Sequence, residues 1–189
     1  MKQRFNNKSR PAVFLDRDGT INIEKEYLNK IEDWEWIPGA IEAIQLINQM
    51  GLLAIVVTNQ AGIARGYYSE DAVHKLHIQV DRLLEEKGAH IDAYYYCPHH
   101  PNFGEQKICE CRKPNPGMLL AAKEDFNIDF SKSFLIGDKL IDVQAAEKVG
   151  VTPILVTTGY GKQDRVLLTS KCAVEKTILE AAKRILKYE

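Results

Sequence analysis

Long apolar runs are missing from this sequence. No stretch approaches the ~20 apolar residues that a membrane-spanning helix requires. The polar, basic residues 1–10 are not followed by the apolar region of a secretory signal. We therefore expect a cytoplasmic protein that does not associate with a membrane.

An excess of charge of either sign is also missing. The chain has 25 basic and 26 acidic residues, and it contains no basic stripe with interleaved aromatic residues of the kind that binds nucleic acid. We therefore expect no nucleic-acid partner. Internal repeats, low-complexity tracts and linkers are absent too, and 189 residues are enough for one core. We expect a single domain over residues 1–189.

Cysteine is scarce and unevenly distributed. Three of the four cysteines lie within fifteen residues, whereas Cys172 stands alone, which is not the spacing of a disulfide framework. The clustered thiols and a histidine form a Cys3His set that suits a closed, structural Zn²⁺ site. The predicted ligands are Cys97, His99, Cys109 and Cys111, and we call residues 97–111 the zinc loop. Buried free thiols are the alternative, and His100 is the competing imidazole.

Short apolar runs that end in polar residues predict strands buried on both faces. There are five such runs, at residues 12–15, 52–57, 93–96, 133–136 and 152–156. Helices are predicted at about 39–50, 69–87, 114–126, 141–149 and 175–187. This alternation predicts an α/β fold, a Rossmann-like parallel sheet flanked by helices on both faces, with no large cap domain. Residues 21–37 fit no regular element, and we expect a flap there.

Three of the predicted strands run directly into reactive side chains. Asp16 and Asp18 follow the first strand, Thr58 and Asn59 the second, and Asp138 the fourth. Because the carboxyl ends of parallel strands share one edge of the sheet, these groups can meet in one crevice. A lone Asp-x-Asp-Gly is equally well explained as a strand followed by a turn, but three such strand ends favour a functional crevice.

The residue types in this crevice suit phosphate chemistry. Asp16 can attack phosphorus if Mg²⁺ and Lys113 neutralise the negative charge of the substrate, while Thr58 donates a hydrogen bond. Asp18 can protonate the leaving alkoxide and later deprotonate the hydrolytic water. The sequence therefore predicts a phosphatase that carries an aspartyl-phosphate on Asp16.

At these positions the chain resembles the haloacid dehalogenase-like (HAD-like) phosphatases. The pieces of that pattern occur in order: an apolar strand into Asp-x-Asp-Gly-Thr, a strand ending in Thr, a lysine, and Gly-Asp-x-x-x-Asp. The resemblance implies that Asp138 binds Mg²⁺ together with Asp16 and the backbone carbonyl of Asp18. Asp142 either contributes to this metal site or stabilises the first turn of a helix.

Five sequence blocks resemble one family of this group, the D-glycero-D-manno-heptose-1,7-bisphosphate 7-phosphatases. The blocks are FLDRDGT, TNQAGIARG, YYYCPHHP, CECRKPNPGM and GDKLIDVQAA. The resemblance implies Mg²⁺-dependent release of the 7-phosphate from a small sugar bisphosphate, in the synthesis of activated heptose for lipopolysaccharide or S-layers. It implies the same four zinc ligands. It also implies substrate contacts from Arg17, Glu24, Tyr27, Asn59, Gln60, Ala61, Arg112 and Lys139.

Two departures from this family pattern concern the substrate. Residues 24–27 lack the Asp-His-Gly that can precede the family's tyrosine, and Ala61 stands where Ser is common. Histidinol-phosphate phosphatase is the close alternative, because related proteins share the zinc loop and the Asp pair. A non-catalytic sugar-phosphate-binding protein is disfavoured by the intact acids, and a zinc-braced module for nucleic-acid ends by the balanced charge. We expect a monomer, because no apolar stripe is left without a sheet to cover.

Overall fold

Six parallel strands form the centre of the protein, whose computed structural model describes residues 9–106 and 108–188. The strands are β1 (Ala12–Leu15), β2 (Leu53–Asn59), β3 (Ala93–Cys97), β4 (Phe134–Gly137), β5 (Thr152–Val156) and β6 (Ala173–Glu175). Their order across the sheet is β3-β2-β1-β4-β5-β6. The parallel sheet and its five longer strands confirm the sequence prediction. The sixth strand was not predicted, because its three half-buried residues carry no apolar run.

Seven α-helices accompany the sheet in the described part of the chain. They are α1 (Ala40–Gln49), α2 (Ala61–Ala64), α3 (Glu70–Glu85), α4 (Gly117–Phe126), α5 (Leu140–Glu147), α6 (Gly161–Asp164) and α7 (Ile178–Ile185). The five longer helices were predicted, whereas the two four-residue helices were not. The predicted start of the last helix at residue 175 is wrong, because Glu175 belongs to β6 and the Thr177 side chain caps α7. None of the described helices is long and apolar enough to cross a membrane.

Strand β1 is the most enclosed part of the sheet. It pairs with β2 on one side and with β4 on the other, with Leu15 opposite Val56 and Ile136. Successive side chains of a strand point to opposite faces, so Val13 and Leu15 enter one apolar cluster while Ala12 and Phe14 enter the other. All four residues of β1 are completely buried. The acids that follow β1 are therefore attached to a strand that is packed on both faces and paired with a neighbouring strand on both edges.

The predicted flap, residues 21–37, folds as a hairpin-like excursion between β1 and α1. The backbone N–H of Ile23 donates to the carbonyl of Glu35 (2.8 Å), and that of Ile37 donates to Ile21 (2.9 Å). At its base, the rings of Trp34 and Trp36 pack edge to face and lie half-buried against the core. The flap is anchored at its two ends, and its tip extends over the carboxyl edge of the sheet.

Candidate active site

A cleft of about 340 Å³ opens at the carboxyl edge of the sheet. Its lining residues come from the ends of β1 and β2, the flap tip, the segment before α4 and the starts of α5 and α6. They are Asp16, Asp18, Glu24, Glu26, Tyr27, Thr58, Asn59, Gln60, Ala61, Tyr68, Arg112, Lys113, Lys139, Ile141 and Tyr160. All residues predicted for catalysis or substrate contact line the cleft, with the exception of Arg17. The topological argument that strand ends meet at one edge therefore describes the site well.

Lys113 lies under Asp16 at the floor of the cleft. Its ammonium group donates to Asp16 Oδ1 (2.8 Å) and to the carbonyl of Val57 (2.7 Å), and it lies 2.6 Å from Asp142 Oδ1. Burial alone would lower the pKa of Lys113, but the carboxylates of Asp142 and Asp16 outweigh burial and raise it. Lys113 is therefore a fixed positive charge beside Asp16.

The Asn59 side chain holds the backbone of Lys113 in this position. Its Oδ1 accepts from the N–H of Lys113 and its Nδ2 donates to the carbonyl, both at 3.1 Å. Asn59 thus lines the cleft, and it also connects the end of β2 to the segment that follows the zinc loop. The sequence predicted Asn59 as a substrate contact, but the pairing with Lys113 could not be read from sequence.

Three buried acids lie close enough to share a cation. Oxygen atoms of Asp16, Asp138 and Asp142 all lie within 4.8 Å of one another. Burial and the neighbouring Asp16 raise the pKa of Asp138 to about 8, and its Oδ1 is buried with no hydrogen-bond partner among the described residues. Oxygen ligands around a site of excess negative charge fit a hard divalent cation.

Asp142 caps a helix, which is one of the two roles that the sequence left open, and it also lies beside the other two acids. Its Oδ2 accepts from the backbone N–H of Lys139 (3.0 Å), which caps the start of α5. Its Oδ1 faces Lys113 and belongs to the group of three acids. The residue therefore stabilises the helix and contributes charge to the site at the same time.

The carboxylate of Asp18 lies outside this group of acids and has its own set of donors. Arg17 Nη2 lies 3.0 Å from its Oδ2, Asn22 Nδ2 donates to Oδ1 (3.0 Å), and Gln60 Nε2 donates to Oδ2 (3.0 Å). Burial raises the pKa of this acid, but the Arg17 charge and the three hydrogen-bonding neighbours outweigh burial and lower it. Asp18 is therefore held in a defined orientation at the cleft wall.

The expectation that Arg17 contacts substrate needs correction. Only 1% of Arg17 is exposed, and its side chain does not line the cleft. It extends behind Asp18 into the interior, where the guanidinium meets the carbonyl of Leu28 (3.0 Å), Gln60 Oε1 (3.3 Å) and His77 Nε2 (3.4 Å). Its side chain therefore contacts the inner side of the Asp18 carboxylate instead of the space in the cleft.

Gln60 and Tyr68 complete the polar wall next to Thr58. Gln60 Nε2 donates to Thr58 Oγ1 (2.8 Å), and Tyr68 donates to Gln60 Oε1 (2.7 Å). Burial raises the pKa of Tyr68 to about 12, so its hydroxyl stays protonated as a donor. Sequence reasoning missed Tyr68, Asn22 and His77, because no local motif marks a residue whose contacts with the site are made by hydrogen bonds to other side chains.

The rim of the cleft is formed by the flap tip and the start of α5. Lys139 Nζ lies 3.1 Å from Glu24 Oε2 and 4.7 Å from the centre of the Tyr160 ring. Tyr27 packs edge to face against Tyr67, and Glu26 and Tyr27 have positive φ angles of 34° and 61°. The predicted substrate contacts Glu24, Tyr27 and Lys139 thus form one side of the opening.

The predicted zinc ligands lie together at one side of the cleft. Cys97 Sγ is 3.1 Å from Cys111 Sγ and 3.6 Å from Cys109 Sγ, and His99 Nδ1 is 3.3 Å from Cys111 Sγ. A tetrahedral zinc ion with bonds of ~2.0–2.3 Å keeps its ligand atoms at similar separations. His100 is not part of this group. The donor set and its spacing therefore fit Zn²⁺.

The zinc loop also orients the basic pair next to it. Arg112 Nη1 donates to the carbonyl of His99 (3.0 Å), and Asn115 Nδ2 donates to the carbonyl of Cys109 (2.9 Å). Arg112 lines the cleft beside Lys113. The loop that carries the four ligands thus delivers two cations to the site.

A family model described as HAD-hydrolase-like matches residues 110–180. The chain is 51% identical over 154 residues to the D-glycero-β-D-manno-heptose-1,7-bisphosphate 7-phosphatase of Photorhabdus laumondii, covering 79% of this chain and 81% of that protein. It is 46% identical over 156 residues to the enzyme of the same name from Escherichia coli K12, covering 80% of this chain and 82% of that protein.

A solved structure is also similar along almost the whole chain. It is the D,D-heptose 1,7-bisphosphate phosphatase from B. bronchiseptica complexed with magnesium and phosphate. The TM-score is 0.87 at 31% identity, and the match covers 95% of this chain and 99% of that one. The fold of this chain is therefore similar to that of a known phosphatase along almost its whole length.

Proposed function

Since the chain belongs to the family of D-glycero-β-D-manno-heptose-1,7-bisphosphate 7-phosphatases, within the HAD-like hydrolases, we propose that it removes the 7-phosphate of the β anomer of this sugar bisphosphate. The observation that carries the proposal is the cleft, in which Asp16, Asp18, Thr58 and Lys113 lie together at the carboxyl edge of the sheet. We assign the reaction to the supply of activated heptose for lipopolysaccharide or S-layers.

In the first step, Asp16 attacks the phosphorus atom of the 7-phosphate. Because Lys113 holds Oδ1, the attack falls to Oδ2. The bond between Asp16 and phosphorus forms while the bond from phosphorus to the sugar oxygen breaks. The negative charge of the bound 7-phosphate favours the protonated form of Asp18. Asp18 then gives its proton to that oxygen, and the heptose 1-phosphate leaves as an alcohol.

In the second step, water hydrolyses the aspartyl-phosphate. Asp18, now ionised, accepts a proton from the water as the water oxygen bonds to phosphorus. The bond between phosphorus and Asp16 breaks, inorganic phosphate leaves, and Asp18 is protonated again for the next cycle. Throughout both steps, the Lys113 ammonium and the Thr58 hydroxyl stabilise the negative charge of the phosphoryl group.

Two metal ions fit the residues of this chain. Mg²⁺ would be held by Asp16, Asp138 and the backbone carbonyl of Asp18, with Asp142 nearby. When bound, it supplies positive charge that offsets the charge of the phosphoryl group. Zn²⁺ would be held by a closed set of four ligands, which gives it a structural role. These ligands are Cys97, His99, Cys109 and Cys111.

The rim residues suit the rest of the sugar bisphosphate. Arg112 and Lys139 supply positive charge for the second phosphate. Glu24 and Tyr27 offer hydrogen bonds to sugar hydroxyls, whereas Ala61 offers only its backbone and a methyl group. The Gln60 amide is already bonded to Asp18, Thr58, Arg17 and Tyr68, so it shapes the cleft wall without a free donor. All of these residues come from one chain and one domain, which is consistent with a catalytically complete monomer that takes a small-molecule substrate.

A comparison of kcat/KM values tests this proposal. Phosphate release is measured with Mg²⁺ for the β and α anomers of heptose 1,7-bisphosphate and for histidinol phosphate. We expect the β anomer to have the highest kcat/KM. A higher value for histidinol phosphate would move the protein to histidine biosynthesis, and binding of sugar phosphate without any turnover would make it a non-catalytic relative.

A further inference from the structure

We propose that Arg17 is a positioning residue that holds Asp18 in place for both proton transfers. The inference rests on the proposed function and deepens it, because it assigns a role in the reaction to a side chain that the substrate does not reach. Arg17 is buried behind the cleft wall, so its effect on the reaction must pass through its neighbours.

The guanidinium of Arg17 joins four separate parts of the fold. Its Nη2 lies 3.0 Å from Asp18 Oδ2, and Nε lies 3.2 Å from the same oxygen. Nη2 also donates to the carbonyl of Leu28 in the flap and to Gln60 Oε1 beyond β2. Nη1 faces His77 Nε2 of α3 at 3.4 Å. A shift in the position of any of these elements therefore changes the position of the Asp18 carboxylate.

Only an arginine can make this set of contacts. The guanidinium is planar and presents five donors in a fixed fork, so it can bind a carboxylate on one side and other acceptors on its remaining edge. A lysine has the same charge but a single nitrogen, which cannot replace the Nε contact with Asp18, the Nη1 contact with His77 and the Nη2 contact with the Leu28 carbonyl together. Substitution with Lys therefore separates the positioning function from the charge.

His77 supports the outer side of the guanidinium. Its ring stacks on Tyr94 at a centroid distance of 4.1 Å, and it is 5% exposed. Burial and the nearby Arg17 lower the pKa of His77 to about 3, so the ring is neutral and Nε2 can accept from Arg17. His77 has no place in the chemistry itself, and its contact with Arg17 gives it a second, more distant positioning role.

This role makes a selective kinetic prediction. An aryl phosphate such as p-nitrophenyl phosphate releases a stable anion, so its transfer to Asp16 does not need a proton from Asp18. Hydrolysis of the aspartyl-phosphate, and the release of a sugar alkoxide, both need Asp18. Misplacing Asp18 therefore slows the hydrolysis of the aspartyl-phosphate and the release of a sugar alkoxide. It does not slow the transfer of the phosphoryl group from the aryl phosphate to Asp16.

The experiment is rapid mixing of Arg17→Lys with p-nitrophenyl phosphate and, in parallel, with the heptose bisphosphate. We expect the first turnover of the aryl phosphate to stay within threefold of the unaltered protein, followed by a steady rate that is lower by about 10²-fold. The first turnover of the heptose bisphosphate should fall as well. An equal loss in both phases of the aryl reaction, or no loss in either, would overturn the proposal.

A second pair of variants covers the case in which Arg17→Lys does not fold. His77→Leu removes the acceptor for Nη1, and His77→Gln replaces it. We expect a three- to tenfold lower steady rate with an intact first turnover in His77→Leu, and recovery in His77→Gln. Equal rates in these two variants would contradict the role of the contact.

A matched control tests whether the effect is specific to Arg17. The two substrates separate a failure of the role of Arg17 from a failure of the proposed substrate. Arg184 pairs with Glu175 (2.9 Å) away from the cleft, so Arg184→Lys should leave both phases unchanged. If the unaltered protein cleaves p-nitrophenyl phosphate but not the heptose bisphosphate, the proposed substrate fails. The aryl phosphate then still tests Arg17, because it reports the same hydrolysis of the aspartyl-phosphate.

Discussion

Among the described residues, two groups of side chains are suited to hold a metal ion, and the fold positions them in different ways. Asp16, Asp138 and Asp142 are buried at the ends of β1 and β4 and on the first turn of α5. The Cys3His group comes from the end of β3 and the loop after it, and three of its four members are only half-buried. The acids are thus positioned by the sheet, whereas the thiols are positioned by a loop.

This difference separates chemistry from stability. Asp16 and Asp142 contact Lys113, and Asp138 accepts from the backbone N–H of Tyr160 (2.8 Å), so the geometry of the acids does not depend on a bound ion. In the part of the loop that the structure describes, no helix or strand after β3 brings Cys97 near Cys109 and Cys111, so we expect a metal ion to fix it. Removing an acid should therefore abolish the reaction while the protein stays folded. Removing a thiol should lower the stability of the protein while the catalytic residues stay in place.

The largest effect should come from Asp16→Asn. The amide cannot form the aspartyl-phosphate, so we expect kcat to fall by about four orders of magnitude or more. Phosphate release measures the activity, and a urea titration shows that the variant is folded. Hydrolysis at the normal rate in this variant would contradict the proposed mechanism.

Cys109→Ser should have its main effect on stability. We expect zinc content to fall from about one ion per chain, and the unfolding midpoint to drop by roughly 5–10 °C, with kcat/KM lower by about tenfold. Elemental analysis and thermal unfolding measure both effects. Cys172→Ser is the control, because Cys172 lies away from the loop. Zinc-free protein of unchanged stability would refute the site.

The buried wall behind Asp18 should show a pH dependence of its own. His77 has a pKa of about 3 in the folded protein and ~6.5 when unfolded, so the unfolded chain binds more protons between these values. The free energy of unfolding should therefore fall as pH decreases below 6.5, by at most ~1.4 kcal/mol per unit.

Urea titrations between pH 6.5 and 4.5 measure this slope. His77→Gln should flatten it, and replacement of the exposed His90 should not. An unchanged slope in His77→Gln would show that other groups cause it.

Glu24→Gln should have the smallest effect. It weakens the 3.1 Å contact with Lys139, a partly exposed pair, and such pairs contribute up to ~1 kcal/mol. We therefore expect KM to change by about fivefold or less while kcat stays the same. A large fall in kcat would mean that the rim takes part in the chemistry and would weaken the contrast between sheet and loops.

Local patterns predicted most of the fold. The apolar runs before Asp16, Thr58 and Asp138 are long enough to be read as buried strands, and parallel pairing then places their ends together. Strand β6 carries no such pattern because its three half-buried residues do not form an apolar run. The helices α2 and α6 carry none because four residues make only about one helical turn. They form because neighbouring elements pair with or cover them.

The direction of single side chains was harder to predict. Arg17 lies between two cleft acids in sequence, yet its side chain extends into the interior. The backbone turns at this point, and hydrogen-bond acceptors for the guanidinium lie behind the cleft wall. Its partners Gln60 and His77 are 43 and 60 residues away. Contacts of this kind depend on the assembled fold and leave no trace in local composition.

The turn at Glu26 and Tyr27 has a consequence for how this protein can change. Two adjacent non-glycine residues in the left-handed region cost ~1–2 kcal/mol each, and the packing of Tyr27 on Tyr67 offsets that strain. A short loop of this kind, joined to a rigid sheet, tolerates exchange far better than the strands below it. The flap tip is therefore the segment through which evolution, or an engineer, can redirect the enzyme to another phosphorylated sugar while leaving its reaction intact.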